Sequence, residues 1–274
     1  MEQILILLNA NRPSASCIQF ACTVAGMNHA RLCGIFVETM PSEGYYSAND
    51  IFLAGAKPAQ GSGVVTMDPE QAIRVFTDTC QREGVQSESV LIDAGPLPYA
   101  VRESYFADLL ILSPDTGFTG DEEETPSSFT RDLLRTAACP VLLAPLQFDA
   151  FNETICCYDG SPSAVYALKT CSYLFPELAK ERLTILEVTR ATDAVYDEKH
   201  GRLLKWARCH YDEVLFQPLS GDTEEELFDY LFRKRGKLVV LGAYGRSLLS
   251  MLFQESTADR ISRAIDLPLF ITHL

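Results

Sequence analysis

Short runs of wholly apolar residues alternate along this chain with longer segments whose apolar residues recur every three or four positions. Ile4-Leu5-Ile6-Leu7-Leu8 comes first, followed by Asn9-Ala10-Asn11-Arg12-Pro13-Ser14 and a helical stretch through Met27. Near the middle, Thr154-Ile155-Cys156-Cys157-Tyr158 leads into Asp159-Gly160-Ser161-Pro162-Ser163 and a helical stretch through Phe175. Runs without polar interruption suit strands buried on both faces. Their alternation with helices therefore predicts a mostly parallel sheet covered on both sides.

The pattern occurs twice. Ala107-Asp108-Leu109-Leu110-Ile111-Leu112 echoes Gly236-Lys237-Leu238-Val239-Val240-Leu241, and Ala138-Cys139-Pro140-Val141-Leu142-Leu143 echoes Asp266-Leu267-Pro268-Leu269-Phe270-Ile271. The first copy is longer, and its surplus falls in Pro41 to Val65, a Gly-, Ala- and Ser-rich stretch without helical periodicity. With a linker around Leu146 to Glu153, the spacing predicts two related domains, 1–147 and 152–274. In the second copy the strands read Thr154–Tyr158, Leu183–Val188, Val214–Gln217, Leu238–Leu241 and Leu269–Thr272. Asp222 to Arg235 reads as a helix: Asp222-Thr223-Glu224-Glu225-Glu226 suits its positive end, Arg233-Lys234-Arg235 its negative end, and Gly236 stops it. The last strand of each copy should lie at a sheet edge, and an exposed apolar edge invites pairing with another. The two copies are therefore expected to pair internally as a pseudo-twofold.

Composition narrows the function. The 274 residues hold 37 acidic against 23 basic side chains, a formal charge of -14. Such a surface repels phosphate backbones and anionic lipid heads, so neither a nucleic-acid nor a membrane partner is expected. Met1-Glu2-Gln3 lacks the basic start of an export signal, and the apolar runs are far too short to span a bilayer, so the expected location is cytoplasmic. Nine cysteines without a C-x-x-C spacing and four scattered histidines argue against zinc and disulfide frameworks. The cysteines read as small buried hydrophobes, with redox sensing through one exposed thiol as the alternative. His200 and His210, with Asp197, Glu198 and Trp206 nearby, read as a solvated helix, a metal or acid–base site being the alternative. Tyr45 and Tyr46 sit in the insertion, where they either contact a ligand or partner or pin the loop to the domain. No nucleophile is spaced with a base, so no catalytic or metal-ligating residue is assigned.

In an open parallel sheet, ligands bind beyond the carboxyl ends of the strands, which directs attention to the loops after Tyr158, Val188 and Leu241. The last carries Gly242-Ala243-Tyr244-Gly245, and Glu255-Ser256-Thr257 opens a later helical pattern. Glycines let backbone N–H groups approach phosphate oxygens, and hydroxyls at a helix start add donors. A turn followed by an N-cap is the plain alternative.

The repeated α/β unit, the Asp159-Gly160-Ser161-Pro162-Ser163 turn and the late Gly-x-x-Gly loop together resemble the universal stress protein family, whose nucleotide-binding members carry G-x2-G-x9-G-[ST] after the fourth strand. The resemblance implies an α/β fold of two tandem doubly wound domains, each a five-stranded parallel sheet flanked by helices. It also implies a stress-response protein acting by ligand or partner binding. The alternative is an adenine-nucleotide sensor or slow ATPase that uses the second domain only, with ATP and Mg as ligand. A homodimer or another protein partner is equally compatible. Carried over by position, Asp159 takes the adenine side, Leu241 forms an apolar wall, Gly242 and Gly245 match the first two glycines, and Ser256 with Thr257 supplies hydroxyls. Glu255 stands where the third glycine belongs, bringing charge and bulk toward the phosphates. The first domain departs further: Asn9 replaces the Asp, Ser113-Pro114-Asp115-Thr116 replaces the glycine loop, and Asp121-Glu122-Glu123-Glu124 adds negative charge. There Ser127 and Ser128 are accounted for as helix N-caps, and no ATP binding by the family's mode is expected. An unrelated doubly wound enzyme such as a flavoprotein is the distant alternative.

Overall fold

The structure, a computed structural model, describes residues 1–39, 67–93, 95–119, 125–189, 198–232, 234–242 and 266–272. The Pro41 to Val65 insertion and the segment from Ala243 through Glu255 to Thr257 lie outside the described residues. In the first half, β1 (Gln3–Asn9), β2 (Arg31–Val37), β3 (Ser87–Ile92), β4 (Leu109–Leu112) and β5 (Val141–Leu143) alternate with α1 (Ala15–Asn28), α2 (Pro69–Arg82), α3 (Pro96–Ser104) and α4 (Ser128–Thr136). The second half repeats the scheme with β6 (Glu153–Cys157), β7 (Arg182–Thr189), β8 (Glu213–Ser220), β9 (Lys237–Gly242) and β10 (Leu269–Thr272), and with α5 (Pro162–Leu174), α6 (Glu198–Ala207) and α7 (Thr223–Leu231). This is an α/β fold with a mostly parallel sheet flanked by helices, as the apolar runs predict. The five strands expected in the second copy are all present, each within a few residues of its expected limits.

The two five-stranded sets do not remain separate sheets. They join into one ten-stranded sheet of order β3-β2-β1-β4-β5-β10-β9-β6-β7-β8. The join is the expected edge pairing: β5 and β10 run antiparallel, with Leu143 opposite Leu269, Leu142 opposite Phe270 and Val141 opposite Ile271. Alternate residues of each strand feed the two cores. On one face Ile4, Ile6 and Leu8 pack with α1, α2, α5 and α6, while on the other Leu5 and Leu7 pack with α3, α4 and α7. The connecting segment adds to the seam, because Phe148 meets Phe20 at 4.9 Å and Phe151 at 4.6 Å, and Phe151 continues to Phe175 at 6.4 Å. A fragment beginning at Asn152 would leave the apolar β10 edge unpaired, and we expect it to self-associate in sedimentation. A well-behaved monomer would show that β5 is dispensable to that edge.

One helix ends earlier than its charges suggest. The expected Asp222–Arg235 helix stops at Leu231, so its basic residues do not sit in a last turn. Lys234 and Arg235 find other partners: the Lys234 ammonium lies 4.1 Å from the centre of the Tyr230 ring within the last turn of α7, and Arg235 reaches Asp266 at 3.8 Å. Gly236 is set by packing rather than by helix termination. A side chain there would meet the Asn152 amide at 2.4 Å and the Ala150 carbonyl at 2.9 Å, and the residue's φ is +66°.

Candidate functional site

β6 and β9 are neighbours, and the chain leaves them in opposite directions, toward β7 and β10 respectively. The crevice at their carboxyl ends is therefore a topological switch point. Asp159 stands exposed just beyond β6, where its Oδ1 accepts a hydrogen bond from Ser161 N at 2.9 Å. Ser161 then caps α5, accepting from Ala164 N at 3.2 Å, and Pro162 supplies a preset first helical residue. The turn thus presents the Asp159 carboxylate at the crevice through local chemistry alone.

Across the crevice, β9 ends in Leu241 and Gly242. Leu241 is buried in the core with Val239 and Ile271. Gly242 lies against the first turn of α5, where a Cβ would come within 2.7 Å of Ala164 N and the Ser163 carbonyl carbon. Its role in the described structure is close helix–strand packing. The Ser163 hydroxyl beside it is buried and lacks a hydrogen-bond partner among the described residues. Of the six residues assigned to the site from the sequence, Asp159, Leu241 and Gly242 are placed here, while Gly245, Ser256 and Thr257 lie outside the described residues.

The corresponding crevice of the first half is built differently. Asn9 Oδ1 accepts from Asn11 N at 2.9 Å, Arg12 N at 3.1 Å and the Thr39 hydroxyl at 3.1 Å, while its Nδ2 donates to the Gly117 carbonyl at 2.7 Å. Asn9 therefore ties the loop after β1 to the loop after β4. Ser127 caps α4 through Thr130 N at 3.1 Å and also donates to the Thr116 carbonyl, whereas Ser128 is the first helical residue. A cavity of about 360 Å³ opens in this half, lined by residues that include Asn9, Arg12, Ser113 and Asp115.

A buried histidine–carboxylate contact went unrecognised in the sequence. His200 is not on a solvated face. It is 9% exposed, and its Nε2 lies 2.9 Å from Glu187 Oε2, with the Tyr158 and Phe216 rings packed at 5.8 and 5.3 Å. The available signal was Glu187, an acidic residue among the apolar Ile185, Leu186 and Val188 of β7. His210 instead packs on Trp206 at 4.3 Å. Among the described residues, no three His, Cys, Asp or Glu side chains gather as a metal set, and no helix is long and apolar enough to cross a membrane.

Seven of the nine cysteines are buried, Cys33 is half-buried and Cys209 is exposed; all are free thiols. Burial, helped by the nearby Asp159 carboxylate, pushes the Cys157 thiol up to about 12, which keeps it protonated and unreactive.

No family model and no curated protein matches the sequence. Solved structures do match it over nearly the whole chain. A universal stress protein from Archaeoglobus fulgidus superposes with a TM-score of 0.62 at 12% identity, covering 99% of this chain and 98% of that one. A functionally unknown protein from Pseudomonas aeruginosa PAO1 gives a TM-score of 0.62 at 13% identity, covering 100% of this chain and 92% of that one. The likeness is one of architecture: the chain has the fold seen in universal stress protein structures.

Proposed function

We propose that this protein is a stress-response protein of the universal stress type, built from two related domains, 1–147 and 152–274, that acts in the cytoplasm by binding a ligand or partner rather than by turnover. The full-length likeness in fold to a universal stress protein supports this reading. Within it, the second half is the domain proposed to take an adenine nucleotide, ATP with Mg being the first to test. The observation that favours this half is the exposed Asp159 carboxylate held at a switch point beside the end of β9. A carboxylate so placed accepts hydrogen bonds from a base or ribose. Gly245, Ser256 and Thr257 are proposed to serve the phosphates.

The test begins with denaturing the purified protein and identifying any released nucleotide, followed by calorimetric titration with ATP and AMP in the presence of Mg. Saturable heat, weakened roughly tenfold in Asp159→Ala by loss of a charge-assisted hydrogen bond, is the expected result. No released nucleotide and no heat would leave ligand-independent partner binding as the function. Sustained phosphate release that disappears in Gly245→Asp would instead make the protein a slow ATPase.

A further inference from the structure

Two thiols meet where α1 and α2 pack together. Cys22, midway along α1, and Cys80, in the last turn of α2, bring their Sγ atoms to 3.7 Å. Both side chains are buried, and both are free thiols. Bonded sulfurs stand about 2.05 Å apart, a gap that a small approach of the two helices closes. The pair also differs electrostatically from other buried thiols of the chain. Burial pushes Cys17, Cys139 and Cys157 up to about 12. Cys80 instead accepts a hydrogen bond from the Cys22 S–H, which holds its thiol below the ordinary value of 9.0 against the effect of burial, with help from Ser87. The same bond holds the Cys22 thiol up. One sulfur is therefore the readier nucleophile, and the other lies beside it to resolve the product.

The pair lies at the margin of the fold. Arg82, Glu83 and Gly84, just after Cys80, are exposed, and β3, which Ser87 opens, is an edge strand of the sheet. A helix end over an edge strand belongs to the units that open locally without global unfolding, and a small oxidant enters such an opening. We propose that Cys22 and Cys80 form a reversible dithiol–disulfide pair whose oxidant is a hydroperoxide. The Cys80 thiolate attacks one peroxide oxygen and the O–O bond breaks. The departing hydroxide takes up the proton the thiol had lost, leaving water and the Cys80 sulfenic acid. The Cys22 sulfur then attacks the Cys80 sulfur, the S–O bond breaks, and hydroxide leaves with the Cys22 proton as a second water. Two thiols thereby lose two electrons and two protons, and the peroxide gains them. The new bond ties α1 to α2 across 58 positions of chain, which restricts the unfolded state.

The test treats the native full-length protein with hydrogen peroxide, alkylates the remaining thiols, and maps non-reduced peptides by mass spectrometry. A peptide crosslinked through Cys22 and Cys80 is expected, and dithiothreitol should abolish it. The oxidised protein should melt roughly 5 °C or more above the same sample after reduction. Cys209 is exposed, so its oxidation in the same sample reports that the oxidant was delivered. In Cys22→Ala, dimedone present during oxidation should label Cys80, because no neighbour resolves its sulfenic acid. An unlabelled Cys80 in that variant, once folded, would overturn its role as the attacking sulfur. The parent protein decides the pairing whether or not the variant folds. Oxidised Cys209 with Cys22 and Cys80 both still reduced would overturn the proposal, as would a crosslink that forms only in urea.

Discussion

Replacing Lys237 by Met should cost about 3 kcal/mol of folding stability, the typical penalty for leaving a buried carboxylate without its partner. The carboxylate is Glu153, 7% exposed at the start of β6, with its Oε2 2.9 Å from Lys237 Nζ and its Oε1 accepting from the Thr184 hydroxyl. Burial alone would raise the Glu153 carboxyl. The Thr184 hydroxyl and the Lys237 ammonium outweigh it and hold the group below the ordinary value of 4.5. A depressed folded pKa contributes stability that is present above the unfolded value and is lost as pH falls through the folded one. The parent protein should therefore lose this contribution on acidification below about pH 4.5. In Lys237→Met burial dominates, the carboxyl rises, and acidification over the same range should stabilise the variant relative to the parent. Urea unfolding at several pH values reads both effects. The double variant Glu153→Gln, Lys237→Met should regain most of the loss, because no bare charge remains buried. A single variant as stable as the parent would mean that water reaches Glu153 and replaces the ammonium.

The second large effect is expected at Gly242. Gly242→Ala places a methyl group 2.7 Å from two backbone atoms of α5, which no rotamer change relieves. The helix must move off the sheet, at about 1–3 kcal/mol as for other overpacked cores. Gly201 provides the contrast. It lies inside α6 with nothing within 4 Å of a Cβ, so Gly201→Ala should raise stability by roughly 0.5–1 kcal/mol through helix propensity. Denaturant midpoints of the two variants should move in opposite directions. If Gly242→Ala left stability untouched and altered only nucleotide affinity, its glycine would serve phosphate approach as the Gly-x-x-Gly pattern suggests, not packing.

That contrast shows where a motif and a structure diverge. In the sequence, Gly242 is the first glycine of a phosphate-type loop. In the fold, its absent side chain makes room for Ser163 and Ala164 of α5, and only the packed helix reveals this. Asp159 is the opposite case. Its turn is local, with the carboxylate bonding two residues ahead and the next hydroxyl capping the helix, so adjacent residues suffice to place it. Glu187 and His200 lie between these cases. An acidic residue among apolar neighbours was visible, but its partner thirteen residues away depended on how α6 settles over β7.

The apolar runs determined β1, β4, β5, the five strands of the second half and the repeat, because a strand buried on both faces reads as a nearly unbroken apolar run, whereas the half-exposed β3 left no such run. They also determined that β5 and β10 would be edges seeking partners. Tertiary structure alone decided the antiparallel register that makes one ten-stranded sheet, the early end of α7 and the burial of His200. It also decided that Asn9 ties the loop after β1 to the loop after β4. Each of these depends on contacts between residues far apart in the chain, whose energies compete with local propensity and leave no periodic trace in the sequence.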